Sequence, residues 1–239
     1  MELTSSSDAG GGPIGFAHRG ARSERRENTL DAFSRALELG ATGLETDAWI
    51  TADGVVVLDH DGVTGPVWRH RAFSTQNRAD LPGHVPALAE LYAECGTGFE
   101  LSIDLKDPAA LEPMLAVARR AGAAERLWLC HHDWRPMAGW RRFAPEVRLV
   151  ESTNLGWMRE GLAARASTLA AAGLDAINLH GSQWDAERVR EVRAAGLRAF
   201  AWDAQTEVEL DRLLAVGVDG VYCDHTDRMM AAIARLDHS

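Results

Sequence analysis

The sequence is poor in lysine, in cysteine and in long apolar runs, and each shortage excludes a class of protein. Among its 25 lysines and arginines only Lys106 is a lysine, and 35 acidic residues leave a net charge of −10. Nucleic-acid backbones select basic surfaces, so we expect no nucleic-acid partner. The three cysteines have no paired spacing, which excludes a metal-binding Cys pair and indicates buried thiols in a reducing compartment. No apolar run approaches the ~18 residues of a membrane span, so stable membrane insertion is not expected.

The 239 residues, 46% of them apolar, are enough for one well-filled core. Residues 1–13 are rich in Ser and Gly and have no basic start followed by an apolar core, so we interpret them as a flexible leader rather than a secretory signal. Residues 14–239 are expected to form a single catalytic domain in the cytoplasm. The sequence does not indicate the oligomeric state.

A repeated pattern organises the chain: a helix-like stretch ends in Gly, and a short apolar run follows. A Gly just past a helix suits the left-handed cap conformation, and the run after it suits a strand that is buried on both faces. The repeats fall at Gly40, Gly122, Gly173, Gly196 and Gly217. This alternation predicts an α/β fold.

Eight candidate strands and up to eight helices favour a (β/α)8 TIM barrel. An open doubly wound sheet is less suitable, because no Gly-rich nucleotide loop follows the first strand. The predicted strands are 14–17, 44–49, 99–105, 127–130, 147–150, 176–179, 198–202 and 220–223, with 55–58 in a hairpin on the second. The predicted helices are 29–39, 88–95, 108–121, 135–143, 158–172, 185–195, 206–216 and 227–236, with N-caps at Asn28, Asp185, Thr206 and Asp227.

The segment 62–88 interrupts this repeat with polar, aromatic and irregular sequence. It leaves the predicted catalytic end of the barrel, where loops of barrel enzymes carry function. We interpret it as an insertion over the pocket, with an ordinary long connector as the alternative.

Carboxylates recur at the ends of two predicted strands. Glu45 and Asp47 lie two residues apart, so both side chains point to the same side of the strand. Asp104 and Lys106 repeat the spacing on the third strand. Three carboxylates close together repel one another unless a cation lies between them, and ligands that are all oxygen suit Mg²⁺ or Ca²⁺ better than zinc. The alternatives are that Glu45 and Asp47 lie on a solvated strand face and that Lys106 forms a surface salt bridge with Asp107.

Two histidines and an arginine lie at the ends of neighbouring segments. His18 and His60 suit a reaction that needs a base and an acid near neutral pH. Arg19 offers a rigid fork of donors for a phosphoryl oxygen. Together with the carboxylates and Lys106, they indicate metal-assisted chemistry on a phosphoryl group.

At this point the chain resembles the glycerophosphodiester phosphodiesterases. The resemblance extends from about residue 15 to residue 227. It rests on AHRG at 17–20, ENT at 27–29, E-x-D at 45–47, HD at 60–61, DLK at 104–106 and GVDGVYCD at 217–224.

The resemblance implies a TIM barrel that cleaves small-molecule phosphodiesters with a divalent metal, and it implies a role for each matching residue. It implies that the metal ligands are Glu45, Asp47 and Asp104 and that the acid/base pair is His18 and His60. It implies that the substrate-binding residues are Arg19, Lys106, Glu27 and Trp202, with Glu27 orienting Arg19 or His18 and Trp202 lining the alcohol side.

Several positions depart from the family pattern. The third metal ligand is usually Glu, and Asp104 instead resembles sphingomyelinase-D-like relatives, so a sphingomyelinase D or lysophospholipase D activity is an alternative. Strand seven usually reads Trp-Thr and here reads Trp202-Asp203; strand four here ends in His131 and His132.

Two hypotheses assign the chain to other classes of protein: a Schiff-base lyase that uses Lys106, and a phosphodiester-binding barrel that does not catalyse turnover. A zinc amidohydrolase is excluded because the first strand has no His-x-His pair. The sequence leaves open the leaving alcohol, the choice of metal, which histidine is the base, and whether water or a substrate hydroxyl attacks.

Overall fold

The computed structural model describes residues 12–236, so most of the predicted leader lies outside the described residues. In this range the chain forms eleven strands. They are β1 (Ile14–His18), β2 (Gly43–Ile50), β3 (Val56–Leu58), β4 (Val63–Thr64), β5 (Arg71–Ala72), β6 (Glu100–Leu105), β7 (Leu127–His131), β8 (Arg148–Ser152), β9 (Ala176–His180), β10 (Arg198–Trp202) and β11 (Gly220–Cys223).

Eight of these strands close into a parallel barrel in the order β1-β2-β6-β7-β8-β9-β10-β11, and β11 returns to pair with β1. The predicted (β/α)8 TIM barrel is therefore confirmed. β3 pairs antiparallel with β2, as the hairpin prediction required, with Ala48 opposite Leu58. The short strands β4 and β5 pair only with each other.

The helices alternate with the barrel strands and cover the outside of the barrel. They are α1 (Leu30–Glu38), α2 (Leu88–Cys95), α3 (Leu111–Ala121), α4 (Trp134–Trp140), α5 (Leu162–Ala171), α6 (Ala186–Ala194), α7 (Glu207–Val216) and α8 (Thr226–Leu236). All five of the predicted Gly stops have positive φ, between 69° and 89°. A side chain would be strained in this left-handed conformation, which explains why Gly recurs there.

Two predicted N-caps are confirmed and two are wrong. The side chains of Asp185 and Thr206 accept hydrogen bonds from the first turns of α6 and α7. The cap of α1 is Thr29 rather than Asn28, because Asn28 has a positive φ of 54° and its amide oxygen accepts a hydrogen bond from Thr46 instead. Asp227 lies inside α8, which begins one residue earlier.

The core has two layers separated by the barrel wall. Inside the barrel, Phe16 stacks on Tyr222 with ring centroids 4.6 Å apart, and Phe200 meets the edges of both Phe16 and Trp128. Outside, the other face of each strand packs against the helices in one large apolar cluster. The interior is filled by aromatic side chains, so the open end of the barrel can hold a site only at its rim.

The segment 62–88 contains the β4–β5 hairpin and three short 3-10 turns. It packs through Phe73, Leu81 and Val85 against Val57 of β3, next to the indole of Trp49. The segment therefore shares a small apolar cluster with β3. That it covers the pocket stays a prediction.

Candidate active site

A cavity of about 440 Å³ opens at the carboxyl ends of the barrel strands. Each of the eight strands contributes one lining side chain: His18, Glu45, Asp104, Cys130, Ser152, Asn178, Trp202 and Tyr222. Arg19, Asp203 and Gln205 line it from loops that follow the strands. Strand alternation explains most of this set. Side chains two residues before the lining position, such as Phe16 before His18 and Phe200 before Trp202, fill the barrel interior below.

His18 is held by a carboxylate that comes from the far end of the chain. Its Nδ1 lies 2.6 Å from Oδ1 of Asp224, which follows β11, the neighbour of β1. Burial opposes ionisation of Asp224, but the hydrogen bond with His18 and the positive charges of His18 and Arg22 outweigh it and hold the pKa of Asp224 below its usual range. An ionised carboxylate only accepts, so Nδ1 of His18 carries the proton and donates it.

The other ring nitrogen of His18 faces the buried carboxylates. Nε2 lies 3.7 Å from Oε2 of Glu45, which is opposite His18 in the β1–β2 register. Burial alone lowers the pKa of His18. The negative charge of Glu45 and the hydrogen bond to Asp224 outweigh burial, so the pKa of His18 is raised above its ordinary value. The geometry gives this imidazole one oriented nitrogen and one available for proton transfer.

Three carboxylates meet at the β2–β6 side of the site. Asp47 and Asp104 are opposite each other in the strand register, and Nζ of Lys106 lies 3.0 Å from an oxygen of each. Burial raises the pKa of Glu45 to about 8, the charge of His18 opposes this rise, and the charges of Asp47 and Asp104 add to it. Burial likewise raises the pKa of Asp47, against the charge of Lys106. The site therefore concentrates carboxylates whose charge Lys106 and Arg19 only partly balance.

Two buried polar atoms in this cluster lack hydrogen-bond partners. They are Nε of Arg19 and Oδ2 of Asp47, which lie 3.8 Å apart. A buried donor and a buried acceptor without partners are costly, by about 1–3 kcal/mol each, unless a ligand satisfies them. Among residues 12–236 no three His, Cys, Asp or Glu side chains are close enough to hold a metal ion, and the Lys106 ammonium lies between two of the predicted ligands.

Arg19 is held in an uncommon conformation. Its φ is 55°, its backbone N–H donates to Glu45 and its Nη1 donates to Oε1 of Glu27 at 3.0 Å. The other oxygen of Glu27 pairs with Arg22 at 2.8 Å. Glu27 therefore contacts Arg19 rather than His18. The cost of the left-handed backbone indicates that the position of this guanidinium matters.

The structure brings together most of the predicted site residues, but among the described residues no side-chain contact joins His60 to them. The His60 side chain is 44% exposed, and its Nδ1 lies 2.8 Å from Asp61. It is not among the residues that line the cavity, and neither are His131 and His132. Trp202 does line it. The acid/base role of His60 stays a prediction.

Sequence reasoning missed Asp224, Arg22, Asp203 and Gln205. Asp224 closes the motif GVDGVYCD and follows an apolar run, as His18 does, but only barrel closure brings the two runs together. The signal for Asp203 was its departure from the usual Trp-Thr pair. Arg22 and Gln205 carried no signal in the sequence.

Comparison with known proteins identifies this arrangement. The sequence model of the glycerophosphoryl diester phosphodiesterase family matches residues 18–228. The chain belongs to this family.

Full-length relatives agree with this assignment. The glycerophosphodiester phosphodiesterase of Caldanaerobacter subterraneus subsp. tengcongensis is 23% identical over 92% of this chain and 97% of its own. A crystal structure from Silicibacter pomeroyi has a TM-score of 0.84 at 24% identity, covering 95% of both chains. An Oleispira antarctica phosphodiesterase, in complex with the product sn-glycerol-3-phosphate, has a TM-score of 0.78 at 20% identity, covering 93% of this chain and 97% of that one.

Proposed function

We propose that this enzyme is a metal-dependent phosphodiesterase that hydrolyses glycerophosphodiesters to an alcohol and glycerol 3-phosphate. The observation that carries the proposal is that His18, Arg19, Glu45 and Asp104 line one cavity. In addition, the buried Nε of Arg19 and Oδ2 of Asp47 lie 3.8 Å apart and neither has a hydrogen bond. An anionic phosphodiester gives the guanidinium its acceptor. A divalent cation gives the carboxylate its counter-charge.

The ligand chemistry suits Mg²⁺ or Ca²⁺, although the three carboxylates would have to draw closer together to hold the ion. Glu45, Asp47 and Asp104 offer only oxygen ligands, and burial with their mutual repulsion raises the pKa values of Glu45 and Asp47. When bound, the ion neutralises charge on the phosphoryl oxygens. A bound cation would replace Lys106 as the counter-charge of Asp47 and Asp104, and would free its ammonium for the substrate phosphate.

Arg19 and Lys106 hold the phosphate. Glu27 and the strained backbone orient Arg19, so its guanidinium has a defined position at the cavity. Preorganised cations of this kind stabilise charge that develops in the transition state without reorganising during the reaction.

Proton transfer uses His18 and His60. Asp224 holds the proton on Nδ1 of His18, which leaves Nε2 directed at the reacting groups. One histidine takes the proton of the attacking hydroxyl, and the other protonates the leaving alkoxide on the opposite side of the phosphorus. His60 is exposed and bonded only to its neighbour Asp61, so the proposal requires its ring to turn toward the bound substrate.

The product bound to the Oleispira antarctica relative supports glycerol 3-phosphate as the product here. In residues 12–236 no helix is long and apolar enough to cross a membrane. A cytoplasmic location stays a prediction.

The test is a panel of glycerophosphodiesters, lysophospholipids and sphingomyelin, assayed with Mg²⁺, Ca²⁺ and EDTA. We expect turnover of glycerophosphodiesters, loss of it in EDTA and recovery with excess Mg²⁺ or Ca²⁺. A cyclic phosphate product would identify a substrate hydroxyl as the nucleophile, and preferred cleavage of lysophospholipids or sphingomyelin would favour the sphingomyelinase-D-like alternative. Turnover that survives exhaustive chelation would remove the metal from the proposal. Binding of every substrate without cleavage would leave only a binding protein.

A further inference from the structure

The described residues include three non-glycine positions with positive φ: Arg19, Asn28 and Asp203. All three lie at or beside the cavity. Arg19 holds the phosphate in the proposed function, and Asn28 supports it, since its backbone N–H donates to the carbonyl of Arg19 at 3.0 Å. Asp203, with φ of 63°, has no role so far. Asp tolerates this left-handed conformation better than most residues, so the feature to explain is the direction that the turn gives to its side chain.

Asp203 is held by an imidazole and an amide rather than by a lysine or an arginine. Its Oδ2 lies 3.1 Å from Nε2 of His180, and its Oδ1 accepts from the amide of Gln205 at 3.1 Å. His180 accepts the backbone N–H of Ser182 on Nδ1, so that nitrogen has no proton and the one on Nε2 is donated to Asp203. No lysine or arginine in residues 12–236 lies within ion-pair distance of Asp203, and its partner His180 carries a charge only when protonated.

The indole of Trp202 lies beside this carboxylate. Trp202 is 37% exposed and lines the cavity together with Asp203. The ring of His180 meets it edge-on, with centroids 4.6 Å apart and planes at 89°, so one residue orients both Trp202 and Asp203. In the closed barrel, β10 lies opposite β6, the strand of Asp104. The cavity thus has the metal ligands and phosphate residues on one side and an indole with a carboxylate on the other.

We infer that Trp202 and Asp203 form a subsite for a positively charged leaving alcohol, an amino or quaternary ammonium alcohol attached to the phosphate. An aromatic face attracts such a cation and a carboxylate supplies the opposite charge. A polyol offers neither partner any charge. The inference rests on the proposed phosphodiesterase function and names the substrate class that its alcohol side selects.

The experiment compares two substrates that differ in one charge: glycerophosphocholine and its carbon isostere, the glycerophosphodiester of 3,3-dimethylbutanol. The wild-type enzyme should prefer the choline ester in kcat/KM. Asp203→Asn tolerates the same left-handed backbone and removes only the charge. It should lower kcat/KM for the choline ester by about three- to tenfold and leave the isostere nearly unchanged.

Two further variants complete the design. Trp202→Leu keeps an apolar side chain without an aromatic face and should also lose the preference for the cation. Glu187→Gln removes a carboxylate from an exposed position at the start of α6 and should behave as wild type, which separates the local charge from the net charge.

The possible failures are distinguishable. If the wild-type enzyme cleaves both esters equally, or if Asp203→Asn lowers both by the same factor, the subsite is wrong and the phosphodiesterase function stands. If the wild-type enzyme cleaves neither, the proposed function fails and the subsite with it.

Discussion

Replacing Asp224 with Asn removes the negative charge beside His18 and keeps the size of the side chain. In the wild type the charged bond at 2.6 Å orients the ring and raises the pKa of His18, together with the charge of Glu45 and against burial. A bond to a charged group contributes about 1.5–3 kcal/mol and a neutral one about 0.5–1.5 kcal/mol, so the change removes about 1–1.5 kcal/mol of stabilisation of the protonated ring. Both side chains are about 28% exposed, which places the effect at the lower end.

The expected result is a fall in kcat of about fivefold, with little change in KM, since 1.36 kcal/mol corresponds to a factor of ten in rate and the lower end is about 1 kcal/mol. The pH–rate limb that reports His18 should also move to lower pH, because the protonated ring loses its counter-charge. The direction is the same whether His18 is the acid or the base.

The assay is a pH series of kcat on a glycerophosphodiester with saturating metal. Asp227→Asn is the matched control, since it makes the same change at an exposed position in the first turn of α8. If Asp224→Asn kept the wild-type rate and pH profile while His18→Ala was inactive, the argument that Asp224 positions His18 would be refuted.

Three further predictions follow from the same structure. His18→Ala and His60→Ala should each lose nearly all turnover, whereas the exposed His70→Ala should retain it; full activity of either of the first two variants would remove the acid/base pair. Lys106→Met leaves Asp47 and Asp104 without their ammonium, so the metal-free variant should melt at a lower temperature than wild type. Added Mg²⁺ or Ca²⁺ should raise its melting temperature by more than that of the wild type. An equal rise in both proteins would contradict the argument that the metal and Lys106 occupy the same site. Gly43→Ala places a Cβ 2.6 Å from the ring of Phe16 and should lower the free energy of unfolding by about 1–3 kcal/mol, measured by urea denaturation. Gly83→Ala has open space around its Cβ and should be near neutral. Equal stability of the two variants would mean that the barrel interior rearranges to accept the methyl group.

The elements of the barrel were predictable because their signals are local. The Gly that ends a helix, the apolar run of a strand and the hydrogen-bonding caps at Asp185 and Thr206 each act over a few residues. The predictions were wrong where a contact with a residue distant in the sequence, or an intervening turn, decided the local structure. Asn28 is of a residue type that often caps helices, but its side chain accepts a hydrogen bond from Thr46 of β2. Helix α5 begins only at Leu162, because Gly161, with φ of 84°, ends a preceding turn.

The sequence by itself determined which side chains share a face, because strand alternation places Glu45 with Asp47 and Asp104 with Lys106 on the same side of each strand. Tertiary structure decided which of them meet. His18 and Asp224 are 206 residues apart and pair because β11 closes onto β1; Lys106 bridges Asp47 and Asp104 because β6 lies in register with β2. Alternation is a property of each strand alone, whereas register and closure depend on the free energy of the whole barrel.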